Sequence, residues 1–163
     1  MSYMINAGIA ISLDNTNWYY ITDHNREQID ISNELIEHAQ RMANGRMRKY
    51  VIANKRKFST SWKDLPSNPT NVVDYNKHAY PTVSSSWLAA FYSANVFLPI
   101  YVKFTYAKEV NPSTGSVPSD ATYQSSTTAS EIIQCFITKF DVKVKKRMKA
   151  WDYVDMDIEF TEI

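Results

Sequence analysis

The feature that most constrains this chain is its final stretch, Ile132 to Ile163, where two alternating segments, IIQCFITKFDVKVKK and WDYVDMDIEFTEI, flank the basic turn RMKA. Alternation sends successive side chains to opposite faces, so the pattern predicts a β-hairpin that closes a sheet. Composition points the same way. Aromatic residues make up 13% of the chain, with 11 Tyr, and only 3 of its 163 residues are Gly, a bias toward side chains that suit pleated strands. A length of 163 residues fits one β-rich domain, 1–163, around one core.

Lys and Arg number 18 against 17 Asp and Glu, a formal charge of +1, so no global field draws the molecule to nucleic acid, membranes or acidic substrates. The single cysteine, Cys135, has no partner for an intrachain disulfide and sits in an alternating apolar run. It reads as a buried, inert thiol in a reducing compartment. No run approaches the roughly 18 apolar residues of a membrane helix. The opening MSYMINAGIAISLDN lacks the basic region of a signal peptide, so a soluble chain made in the cytoplasm is expected.

Along the chain, Ala7 to Ile21, with AGIAISL, the turn-like DNTN and then WYYIT, predicts a short hairpin. From Ile29 to Ile52 two readings stand. Leu35, Ile36, Ala39, Met42 and Ala43 follow a helical spacing between Ser32/Asn33 and Asn44-Gly45, while Asn-Gly followed by RMRKYVI is a strong hairpin signal. KRKFSTSWKDLPS alternates Phe58, Thr60 and Trp62 against Ser59, Ser61 and Lys63, a strand that must end near Leu65-Pro66, since proline has no ladder donor. Residues Ser67 to Thr82 form an irregular connection. SSSWLAAFYSAN predicts a helix capped at serine, with Trp87, Leu88, Phe91 and Tyr92 on one face and Asn95 as its stop.

VFLPIYVKFTYAKEV predicts a strand with Ile100, Val102, Phe104 and Tyr106 on one side and Tyr101, Lys103, Thr105 and Ala107 on the other. Asn111 to Ser130, rich in Ser, Thr and Pro, predicts an extended loop that orders against a neighbouring subunit.

Residue chemistry gives no catalytic, cofactor or metal site. His24, His38 and His78 are scattered with no HxH or CxxC partner, so transition-metal spacing is missing. Three glycines cannot build a phosphate loop. Asp155, Asp157 and Glu159 share one face of a strand, which suits a solvated or subunit-facing surface better than an acid–base pair. Two basic runs, Arg46 to Lys57 and Lys143 to Lys149, read either as a plain solvated face or as a contact for an acidic partner face such as that strand. Complementary stripes of this kind give register to head-to-tail assemblies. A binding module remains the rival reading, with Trp18, Tyr19, Tyr20 and the tyrosines of the Tyr101 strand as a stacking platform for carbohydrate.

Two segments carry a resemblance. RMANGRMRKYVIANKRKFSTSWKDLPS, through Met42, Gly45, Arg48, Lys55, Phe58, Ser61, Trp62, Leu65 and Pro66, resembles a pattern in structural proteins of tailed-bacteriophage tails. AWDYVDMDIEFTEI is similar to the closing strand of the same class. The resemblance implies a β-sandwich or rolled barrel with one short helix packed against it and a long loop or hairpin reaching neighbouring subunits. It also implies a non-enzymatic virion subunit without cofactor, metal or small-molecule substrate. Its partners would be its own copies in a ring, expected to be hexameric, other tail proteins, and DNA passing non-specifically through the channel. Tail tube, baseplate or distal-tail and terminator subunits all fit. The expected interface residues are Arg46, Arg48, Lys55, Lys143, Lys145, Asp155, Asp157 and Glu159, with Pro112, Thr114 and Tyr123 from the loop.

Overall fold

Alternation turns into pairing throughout the computed structural model, which describes residues 8–21, 25–67, 82–107, 128–149 and 152–163. Its elements are β1 (Gly8–Ser12), β2 (Tyr19–Ile21), β3 (Asp30–Arg41), β4 (Met47–Pro66), β5 (Thr82–Val83), α1 (Ser85–Asn95), β6 (Ile100–Ala107), β7 (Thr128–Arg147) and β8 (Asp152–Glu162). All eight strands join one sheet in the order β3-β4-β8-β7-β6-β1-β2-β5. The fold is mainly β with one short helix, as expected.

The C-terminal hairpin forms in the expected place, but it is the middle of the sheet rather than its closing edge. β7 is long enough, at 20 residues, to pair with β6 through Thr128–Cys135 and with β8 through Cys135–Arg147. β8 in turn lies against β4. The β4–β8 pairs, such as Lys57↔Thr161, join residues about a hundred positions apart, and local alternation cannot reveal them.

Of the two readings for 34–44, the hairpin holds. β3 pairs with β4 from Asp30↔Ser59 to Arg41↔Met47, with one bulge at Ile36/Glu37. Gly45 turns the chain at φ +78, in the region only glycine enters freely. The Gly45 amide donates to the Met42 carbonyl at 2.9 Å, and the Met42 amide to that of Arg46 at 2.8 Å. Helix-favouring residues lose here because the turn and the ladder satisfy the backbone groups of both strands at once. The first hairpin is also as expected, with Ile9↔Ile21 and Ile11↔Tyr19 in register. Asp14 organises its turn by accepting from the Thr16 and Asn17 amides at 2.9 and 2.8 Å.

One face of the sheet makes the core. Phe58↔Phe160, Thr60↔Ile158 and Trp62↔Met156 align across β4 and β8. Val102↔Ile133 and Ile100↔Cys135 continue the layer across β6 and β7, and Ile9↔Phe104 carries it to β1. All nine apolar side chains named in the β4, β6, β7 and β8 pairs are buried. Phe58 and Phe104 stack with ring centroids 4.3 Å apart. Three strand spacings of about 4.8 Å would hold them some 14 Å apart in a flat sheet, so the sheet rolls over its own core.

Helix α1 packs on this core. Ser84 caps it, its Oγ accepting from the Trp87 amide at 3.4 Å. Leu88 and Phe91 are buried, Trp87 lies against Tyr19, and Tyr92 stacks on Phe140. The connection from Ser67 to Thr82 and the loop from Asn111 to Ser130 lie almost wholly outside the described residues. The last three loop positions, Thr128 to Ser130, are strand β7 rather than loop.

Candidate subunit-assembly surface

β3 and the first half of β4 form a two-stranded arm that leaves the core. β8 pairs with β4 only from Lys57 onward, so among the described residues Met47–Arg56 has a neighbour on one side alone. Nearly every side chain of the arm is exposed, including Leu35, Ile36, Met47, Tyr50 and Val51, and Ile52 is 74% exposed. A two-stranded ribbon with apolar side chains on both faces is marginal by itself in water, and such a patch marks an interaction surface.

The arm is anchored at its root by charge. Arg56 reaches Glu131 of β7 through Nη1 at 2.5 Å and Glu162 of β8 through Nη2 at 3.0 Å, and its Nε also donates to Glu162 at 3.1 Å. The guanidinium holds the Glu162 carboxyl below its ordinary range. Lys55 Nζ donates to the backbone oxygen of Ile163. Nothing in the local sequence pattern marks this triad, since its members come from three distant strands; the final glutamate of the closing strand is its one legible member.

The other face of the sheet is polar. Register places Lys139 beside Glu159, Asp141 beside Asp157 and Lys143 beside Asp155, with Ser59 and Ser61 next in line on β4. A cleft of about 720 Å³ opens here, lined by Glu27, Asp30, Ser61, Lys139, Asp157 and Glu159 among others. Glu27 is paired with Lys63 at 2.5 Å and with Ser61 Oγ at 3.0 Å, which hold its carboxyl below its usual range. Glu159 accepts from Thr138 Oγ1 at 2.9 Å. Among the described residues no group of three or more His, Cys, Asp or Glu is placed to hold a metal ion.

The structure gathers the expected interface residues into two places. Arg46 stands at the arm's tip, its amide donating to Asn44 Oδ1 at 3.1 Å, and Arg48 and Lys55 lie along β4. Lys143, Lys145, Asp155, Asp157 and Glu159 meet on the polar face. There Lys145 Nζ lies 3.1 Å from Asp64 and 4.0 Å from Asp155. The basic and acidic stripes therefore neutralise each other partly within one chain. Pro112, Thr114 and Tyr123 lie outside the described residues.

Of the expected aromatic platform, Tyr20 is buried, Tyr19 packs against Trp87, and Lys103 sits over the Trp18 ring at 5.6 Å. Tyr19 and Tyr20 thus serve packing, Tyr101 is half-buried, and the side chain of Tyr106 lies outside the described residues. Sequence reading also passed over Phe97, which is 89% exposed in the turn between α1 and β6. No helix among the described residues is long and apolar enough to cross a membrane. In comparisons with known proteins, no family model and no curated sequence matches the chain.

Proposed function

We propose that this chain is a non-enzymatic structural subunit of a tailed-bacteriophage tail, that of the tail tube, which assembles with its own copies into stacked rings around a channel for DNA. The observation that carries the reading is the arm, a hairpin of 12 and 20 residue strands that extends past the core with apolar side chains in solvent. An open edge of that length is a liability in a monomer and a joint in an assembly.

The polar face of β4, β8 and β7 supports the same reading. Its Lys, Asp, Glu, Ser and Thr side chains make a surface that stays wetted and offers a passing polyanion no strong basic track. The mechanism is geometric: joined sheets line the channel, and the loop up to residue 127 is the expected contact to an adjacent ring or subunit. In the virion the protein would reside in the tail, after synthesis in the host cytoplasm. A baseplate, distal-tail or terminator subunit would use the same surfaces with other partners.

Negative-stain electron microscopy of the purified full chain tests the proposal. Rings of uniform diameter, or tubes with a central channel, are the expected result, and their loss on deleting Pro112 to Thr128 would assign the contact between rings to that loop. A chain that stays monomeric near its solubility limit would overturn the reading.

A further inference from the structure

Two sheet edges are open over long stretches. β3 is the terminal strand of the sheet, 12 residues long, and among the described residues only β4 pairs with it. β7 loses its β6 neighbour after Cys135, so among the described residues the 12 positions from Phe136 to Arg147 are bonded on the β8 side alone. The opposite terminal strand, β5, has 2 residues and offers no comparable edge.

The two edges differ in charge. β3 carries Asp30, Glu34 and Glu37 against Arg41, whereas the open half of β7 carries Lys139, Lys143, Lys145, Lys146 and Arg147 against Asp141. Their faces also match. Register puts Glu34 beside Lys55 on the polar face and Leu35 beside Asn54 on the core-facing side. It puts Lys143 beside Asp155 on the polar face, with Val142 and Val144 beside the core residues Met156 and Val154. Leu35, Val142 and Val144 are all exposed.

We propose that copies of the chain join head to tail, the acidic edge of β3 in one copy adding as a strand to the open basic edge of β7 in the next. The inference rests on the reading of the chain as a ring-forming subunit and names the contact and its polarity. Pairing β3 with β3, or β7 with β7, would set like charges opposite one another, which costs energy in a ladder. Charge therefore selects two different surfaces, and such a contact generates rings when its rotation closes.

β3 lies level with the first half of β4, while the open half of β7 lies level with the second half. Joining them staggers each copy along the strands, and closing a sheet into a barrel requires such a stagger. The joint also lays Leu35 against the Val142 and Val144 strip, covering apolar groups that each copy leaves in water.

Charge reversal with rescue tests this. Three full-length variants are needed: D30K/E34K, K143E/K146E, and the chain bearing all four changes. Each is checked for an unchanged unfolding midpoint, then followed by light scattering and electron microscopy at low salt. The expected result is that each double variant loses the oligomer seen with the wild type, by tenfold or more in assembled fraction, and the fourfold variant regains it. A second measurement uses separately purified E34C and K143C chains, mixed and oxidised, with a covalent dimer expected from the mixture and not from either alone.

Double variants that assemble like the wild type would overturn the edge pairing and leave the ring-forming reading standing. Loss without rescue by the fourfold chain, or cross-linking of E34C to itself, would overturn the pairing in the same way. A wild type that never assembles would overturn both.

Discussion

Phe58 of β4 and Phe104 of β6 stack at 4.3 Å between ring centroids although two whole strands, β8 and β7, lie between them in the sheet. Phe160 meets Phe104 edge-on at 6.2 Å from the strand beside Phe58. The roll of the sheet and its aromatic core are thus one feature, and curvature is maintained by what fills the inside.

Truncating either ring should loosen that roll. F58A and F104A are each expected to cost about 3–5 kcal/mol, the usual range for removing a buried phenylalanine. The double variant should cost clearly less than the sum, since both changes empty one site. Urea denaturation of the three variants measures this, and strict additivity would contradict the contact.

Arg56 gives the fold an acid limb. Its guanidinium holds the Glu162 carboxyl below the ordinary value of 4.5, so as pH falls the unfolded chain takes up this proton first. The associated stability is complete above about pH 4.5 and is lost as pH drops through the lower folded value. R56M should flatten that limb and lower stability at neutral pH by about 1–3 kcal/mol, because both Glu131 and Glu162 lose this cation. Denaturation midpoints across the acid range, with E162Q as control, decide it.

The arm's turn depends on a left-handed backbone conformation at Gly45. Gly45 sits at φ +78 with nothing within 4 Å of where a Cβ would stand, so G45A meets no steric obstacle and costs about 1–2 kcal/mol of conformational strain. The loss should be local. Hydrogen exchange is expected to speed up from Arg41 to Arg48 while protection of β7 and β8 stays unchanged, and equal loss in both regions would contradict an arm that opens independently of the core.

Cys135 is fully buried between Ile100 and Glu162 in register, and desolvation pushes its thiol up to about 12. It should resist thiol reagents at neutral pH in the native protein and react at the rate of global unfolding. Fast labelling under native conditions would contradict this burial.

Much of this was legible in the sequence wherever the signal is local. Ser84 before an apolar face marked α1, the alternating apolar run around Cys135 marked a buried thiol on β7, and Asn44-Gly45 marked a turn. The helical spacing of Leu35, Ile36, Ala39 and Met42 was a competing local signal, and it yielded because β4 supplies a ladder that no window of sequence contains. Sheet order, the Arg56 triad and the open half of β7 were not legible for the same reason: each depends on which distant strand lies alongside. The candidate surface divides likewise, its charged residues visible in the sequence and their mutual neutralisation, as at Lys145 and Asp64, visible only in the fold.

The most direct test of the account compares the full chain with one in which Ile36 to Ile52 is replaced by a two-residue turn, by light scattering and electron microscopy over a wide concentration range. Rings or tubes are expected from the full chain and a folded monomer, with an unchanged core, from the shortened one. Assemblies of equal size from both, or a monomer from the full chain at every concentration, would contradict it.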